Sequence, residues 1–172
     1  LRRDLLSRGH VFRSRSDTEV IVHLYEEYGP GCIERLDGMF AIALWDDRHQ
    51  RLILARDRAG KKPLFYAHNK TQVAFASEIK AFFGRRDLDL TIDIQAIPYF
   101  FIYGYVPTPG TFYRGVRQVE PGHVVTVERD GTMSSRQYWA LEYPEKDAVP
   151  RENYDRPSVK AKLRTLMTEA VE

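Results

Sequence analysis

Residues 38–67, GMFAIALWDDRHQRLILARDRAGKKPLFYA, constrain what this chain can fold into more than any other stretch. Two short apolar runs, 39–45 and 51–56, flank Asp46-Asp47-Arg48-His49-Gln50, which contains nothing that a core would take in, and this pattern predicts a β-hairpin. Small Ala41 and Ala43 alternate with bulky Phe40, Ile42 and Leu44, so both faces of the first strand are apolar. A strand without a polar face needs cover on both sides, which predicts a central place in a layered sheet. Asp57-Arg58-Ala59-Gly60 then turns the chain, Pro63 restarts it, and residues 64–67 provide a third strand expected beside the first two.

The flanking sequence supplies helices to cover such a sheet. Residues 1–8 are in helical register up to Gly9, and residues 10–15 form a candidate edge strand. Ser16-Asp17-Thr18-Glu19 has the form of a capping box, with Ser16 accepting from the Glu19 backbone N–H and the Glu19 side chain reaching back. Beyond it Val20, Ile21, Leu24, Tyr25 and Tyr28 share one arc, while Glu19, His23, Glu26 and Glu27 lie opposite. Gly29-Pro30-Gly31 ends this helix, and residues 32–36 form a short helical segment. After a turn at His68-Asn69-Lys70, residues 72–76 predict a fourth strand, and Ser77 caps a short helix reaching Phe83.

Residues 92–103 predict a helix bent or started at Pro98, and the prolines at 107 and 109 then exclude helix. Strands are expected at 116–120, 123–127 and 132–139, the last two joined across Arg129-Asp130-Gly131. Three prolines and many charges mark 142–157 as a linker. Residues 158–172 then place Val159, Leu163, Leu166, Met167 and Ala170 on one helical face that needs a partner. The chain opens in helical register without Met and closes inside an amphipathic run, which suggests a piece of a longer protein.

The 172 residues suffice for one good-sized domain and an appendage. Lys and Arg number 26 against 24 Asp and Glu, and the signs are mixed along the chain, so no electrostatic grip on nucleic acid or an anionic membrane is indicated. A single cysteine, Cys32, excludes an internal disulfide and any Cys-rich metal site, and fits a reducing, cytoplasmic setting. No apolar run approaches the roughly 20 residues of a membrane span, and no signal peptide is present.

Asp17 is the most suggestive single residue, because its carboxylate sits at the positive end of a helix just after an expected strand. A favourable first-turn charge is the plainer explanation from composition alone, because Asp is common at that helix position. Cys32 has a neighbouring carboxylate, Glu34, and no evident base, which favours a half-buried structural thiol over a nucleophile. The turn at 56–63 carries a glycine and four cations, but a strand follows it where a phosphate loop would lead into a helix, so Arg56 and Asp57 are expected to tie the turn together. Histidines 10, 23, 49, 68 and 123 have no metal-type spacing, and no metal site is expected. The aromatic run 99–105 is expected to pack in the core.

Taken in order, several strings resemble the glutaminase domain of glutamine-hydrolysing asparagine synthetases. They are Ser16-Asp17-Thr18-Glu19-Val20, Leu36-Asp37-Gly38-Met39-Phe40-Ala41, Trp45-Asp46, residues 55–66, residues 75–81, Gly104-Tyr105-Val106-Pro107-Thr108-Pro109, Pro121-Gly122-His123 and Tyr138-Trp139. The resemblance covers nearly the whole chain. It implies a class II, N-terminal-nucleophile amidotransferase domain: an α+β, four-layer αββα sandwich with two antiparallel sheets, here incomplete. In that family an N-terminal cysteine attacks the glutamine side-chain amide with its own α-amino group as base, an Asn-Gly pair forms the oxyanion hole, and an Arg and an Asp hold the amino-acid end.

Matched residue by residue, only Asp17 is carried over, as the group that binds the α-ammonium of glutamine. The cysteine, the Arg and the Asn-Gly pair would precede residue 1, so no catalytic residue is assigned and these residues alone are expected to be inactive. The resemblance divides the chain into a glutaminase domain (1–141), a linker (142–157) and the first helix of a synthetase domain (158–172). That further domain would use ATP and Mg to amidate aspartate or a similar carboxylate, and a homodimer is compatible with it. Ala59 stands where the family more often has a larger residue. A non-catalytic binding or regulatory module on the same fold is the alternative.

Overall fold

The computed structural model describes residues 1–69, 71–143 and 155–171. Lys70 in the expected turn at 68–70, and most of the expected linker, lie outside the described residues. The chain divides into two compact units, residues 1–140 and 141–172.

In the first unit, helix α1 (Arg2–Ser7) buries Leu5, and α2 (Asp17–Tyr28) buries Leu24. The N-terminus of α2 is capped differently from the expected box. Ser16 accepts from the Thr18 backbone N–H at 3.2 Å, whereas the Glu19 carboxylate accepts from the Arg13 and Ser14 backbone N–H groups at 2.6 and 2.7 Å and from the Ser14 hydroxyl. Those backbone donors are spent on Glu19, so residues 10–15 form an irregular segment and not an edge strand. The Ser14 hydroxyl, then the Arg13 amide, lower the Glu19 pKa to about 2. As expected, α2 ends at Gly29, whose φ of +56° leaves the helical region, and Gly29-Pro30-Gly31 opens a separate 3₁₀ segment, Gly29–Arg35.

Two antiparallel sheets follow. β1 (Ala41–Asp46), β2 (Arg51–Arg56), β6 (His123–Val127) and β7 (Met133–Gln137) form one, in the order β1-β2-β6-β7. β3 (Phe65–His68), β4 (Val73–Ala76) and β5 (Val116–Gln118) form the other, in the order β4-β3-β5. The hairpin is present, with Ala41 opposite Arg56 and Asp46 opposite Arg51. Two expectations about it are overturned: β2 is interior while β1 is an edge, and β3 pairs with Val116–Gln118 in the second sheet instead of joining the hairpin. At the edge, Trp45 is exposed, so one face of β1 lacks the cover that its composition predicts.

Alternation along the strands builds the layers. Ile42, Ile53, Ala55 and Val124 face Leu24, Cys32, Ile33 and the apolar stripe of α2, namely Val20, Ile21, Tyr25 and Tyr28. Burying a side chain such as Leu24 contributes about 1.5–3 kcal/mol. From the opposite face Leu54 and Val125 meet Leu64, Tyr66 and Val119, which joins the two sheets. The outer face of the second sheet, with Ala67 and Val116, is covered by Phe82, Ile79, Leu88 and Leu90. That cover is a 3₁₀ turn, Ile79–Phe82, begun at Glu78 without a side-chain cap, where Ser77 had been expected to cap.

Helix α3 (Ala96–Tyr103) starts later than residue 92, with Pro98 in its first turn. It buries Ala96 but leaves Tyr99, Phe101, Ile102 and Tyr103 at least half exposed, so the aromatic run is a surface and not a core. In the second unit α4 (Arg156–Glu169) is capped by Asp155, which accepts from the Ser158 N–H, and its Val159, Leu163, Leu166 and Met167 are exposed. No helix among the described residues is long and apolar enough to cross a membrane.

Candidate functional site

Asp17, the first residue of α2, lines an open cleft of about 950 Å³ that runs along β1. Its walls are apolar, formed by Ile21, Leu36, Phe40, Ile42 and Leu44, and its polar lining includes Thr18, Asp37, Lys62 and Ser77. Asp17 is exposed, and the Thr18 hydroxyl at 3.4 Å is the hydrogen-bond partner of its carboxylate among the described residues. It sits at the helix N-terminus, where free backbone N–H groups favour an anion. Sequence reasoning had not pointed to Lys62 or Ser77 as neighbours of the cleft. Lys62 is brought there by the turn after β2, whose shape is set by contacts distant in sequence.

That turn is held from both ends. Arg56 is buried and donates to three carbonyls: Lys62 at 2.9 Å, Val119 at 2.8 Å and Gly60 at 2.7 Å. Asp57, 1% exposed, accepts from the backbone N–H groups of Lys61 and Lys62 at 2.9 Å and of Phe40 at 3.3 Å. Burial pushes the Asp57 carboxyl up, yet the Lys62, Lys61 and Phe40 amides together outweigh it and hold it below the ordinary carboxylate value. Gly60 has φ +63°, and a Cβ there would lie 2.7 Å from Pro121. The residues present do not fit a nucleotide phosphate here, because the amides and the guanidinium that would cradle one are already committed.

A second polar cluster pins the hairpin turn to α2. Asp46, expected in a segment foreign to a core, is buried and accepts from the Tyr25 hydroxyl at 2.5 Å, the His49 backbone N–H at 3.0 Å and Arg51 Nε at 3.2 Å. Its pKa is lowered, because these hydrogen bonds exceed a large opposing effect of burial, whereas burial first and then Asp46 raise Tyr25 to about 12. Cys32 is fully buried, and burial raises its thiol to about 11, which leaves it protonated and inert at neutral pH. His23, placed on the polar helix face by periodicity, instead packs against Phe12 and His10.

A family model described as "Glutamine amidotransferase domain" matches residues 1–139. The chain belongs to the glutamine amidotransferase domain family. It is 39% identical over 143 residues to the glutamine-hydrolysing asparagine synthetase 3 of Bacillus subtilis, covering 83% of this chain and 23% of that protein. Over 171 residues it is 34% identical to the amidase chry2 of Gibberella zeae, covering 93% of this chain and 23% of that protein. The chain thus spans under a quarter of the length of these curated relatives. In fold it is similar to the glutamine phosphoribosylpyrophosphate amidotransferase of B. subtilis, with a TM-score of 0.55 and 24% identity over 81% of this chain and 26% of that one. The α+β arrangement of two antiparallel sheets with helical cover is the fold of the N-terminal-nucleophile amidotransferases, incomplete in these residues.

Proposed function

We infer that this chain holds glutamine for amide cleavage in the glutaminase part of a larger, ATP-consuming amidotransferase, and that Asp17 binds the α-ammonium of the substrate. The observation that carries this reading is an exposed carboxylate at the rim of an apolar-walled cleft, with a neighbouring hydroxyl at 3.4 Å as its hydrogen-bond partner among the described residues. An ammonium is the complementary charge, and the apolar walls suit the methylene stem of an amino acid. No side chain in this sequence takes the part of the attacking sulfur, since its one cysteine is buried with a raised pKa. The 172 residues alone are therefore expected to release no glutamate from glutamine.

Asparagine formation is the favoured overall reaction, on the strength of the asparagine synthetases among the relatives. Aspartate or a similar carboxylate would then be amidated in a separate domain with ATP and Mg, in the cytoplasm, by a protein whose assembly as a homodimer sedimentation would test. The test of the Asp17 role is Asp17→Asn in the longer protein. Loss of a charge-assisted contact of about 1.5–3 kcal/mol raises the KM for glutamine about 10- to 150-fold. Activity with ammonia in place of glutamine stays within about twofold, and an equal loss of both activities would overturn the assignment.

A further inference from the structure

A separate cluster on the far end of α2 carries an unassigned chemistry. His10, in the irregular segment after α1, and His23, on α2, are 13 residues apart in sequence, yet their Nδ1 atoms lie 3.1 Å from each other. Glu26 Oε2 lies 2.9 Å from His23 Nδ1 and 3.3 Å from His10 Nδ1. Both rings are largely buried, 13% and 15% exposed, while Glu26 stands at the solvent rim with 57% exposure.

Protons on neutral rings do not satisfy this triangle. His10 Nε2 is 2.9 Å from Glu27 Oε1, and because a carboxylate only accepts, that nitrogen is the donor and His10 Nδ1 is left as a bare lone pair. The lone pair then faces a carboxylate oxygen and the second imidazole. One proton on His23 Nδ1 serves the edge to Glu26 or the edge to His10, and the third edge stays repulsive. A single cation at the centre of the three atoms satisfies all of them at once. Tetrahedral coordination with bonds of about 2.0 Å separates neighbouring ligand atoms by about 3.3 Å, and the three observed separations lie at that value or a few tenths of an ångström below it. The Glu27–His10 hydrogen bond is the arrangement in which an outer carboxylate fixes the tautomer and orientation of a metal-bound imidazole.

We propose that His10, His23 and Glu26 form a binding site for one divalent transition-metal ion of the zinc type, with water as the fourth ligand. The ion clasps the segment ahead of α2 to the helix whose first residue is Asp17. Two imidazoles and one carboxylate select zinc, cobalt or nickel over magnesium or calcium, which favour all-oxygen sites.

The test uses the full chain, freed of metal with a chelator and titrated with Co²⁺ alone at neutral pH. One equivalent binds, develops the visible absorption of tetrahedral cobalt, and is displaced by Zn²⁺ but not by excess Mg²⁺. His10→Gln and His23→Gln each abolish the band while retaining a cooperative melting transition. Glu27→Gln weakens binding about 10- to 100-fold. His68→Ala with His123→Ala leaves the titration unchanged. Absence of stoichiometric binding below 100 µM Co²⁺ overturns the proposal, as does a titration that either histidine variant leaves unaltered. Should both histidine variants fail to fold, Glu26→Ala at the exposed rim decides it, and an unchanged cobalt spectrum there refutes the site.

Discussion

The turn at residues 56–63 and the cleft beside Asp17 adjoin each other, share Lys62, and handle charge in opposite ways. In the turn Arg56 and Asp57 are buried and committed: Arg56 to three carbonyls, Asp57 to three backbone amides. In the cleft a carboxylate of the same chemical type is exposed, and among the described residues its hydrogen-bond partner is its neighbour's hydroxyl at 3.4 Å. A carboxylate that shapes the chain cannot also be free to meet a ligand. The contrast separates framework from recognition without reference to position in the sequence.

The comparison breaks first, if it breaks, at Asp57. Asp57→Ala leaves three backbone donors without an acceptor and should cost about 3–5 kcal/mol in urea denaturation. A loss below about 1 kcal/mol would show that the turn does not constrain folding. Arg56→Lys keeps the charge but offers one flexible ammonium where a planar fork reaches three carbonyls, for an expected loss of about 2 kcal/mol by the same measurement.

Acid sharpens the contrast. Asp57 and Asp46 are both held below their unfolded values, so the unfolded chain takes up protons first as pH falls. The stability they provide is complete above the unfolded value of about 3.9, and is lost progressively as pH drops through their lower folded values. Melting temperature should therefore be flat from pH 7 to 5 and decline below about 4, with a shallower decline in Asp57→Asn. The smallest effect belongs to the cleft: Asp17→Asn should change stability by no more than about 0.5 kcal/mol. A larger loss would make Asp17 part of the framework and weaken its case as a ligand for glutamine.

Much of the frame was legible because it depends on local pattern. The stripe Val20, Ile21, Leu24, Tyr25 and Tyr28 packs on the sheet as its spacing requires, and Asp130-Gly131 lies between β6 and β7, with Gly131 at φ +85° and Asp130 accepting from Thr132 N–H at 2.8 Å. What escaped depends on partners far away in the chain. Nothing within 64–68 reveals that its neighbour is Val116–Gln118, so β3 was assigned to the wrong sheet. Asp46 looked like a surface residue because its burial is made tolerable by the hydroxyl of Tyr25 on α2, which joins Arg51 across the hairpin turn. Hydrophobicity alone placed the aromatic run inside, whereas α3 exposes most of it. The cleft was legible only as one acid at a helix start, and the meeting of His10 with His23 was not legible at all, since spacing along a chain does not report a return across an irregular segment.

The open side of β1 has a practical consequence. Among the described strands, β1 is bonded on one side only, and it is short, apolar and partly uncovered, with Trp45 turned to solvent. Such a margin is a template on which one molecule can zip to the next. Handled in isolation at high concentration, the polypeptide should drift towards dimers and larger aggregates joined through that border. Lysine in place of Ala43 should keep it dispersed.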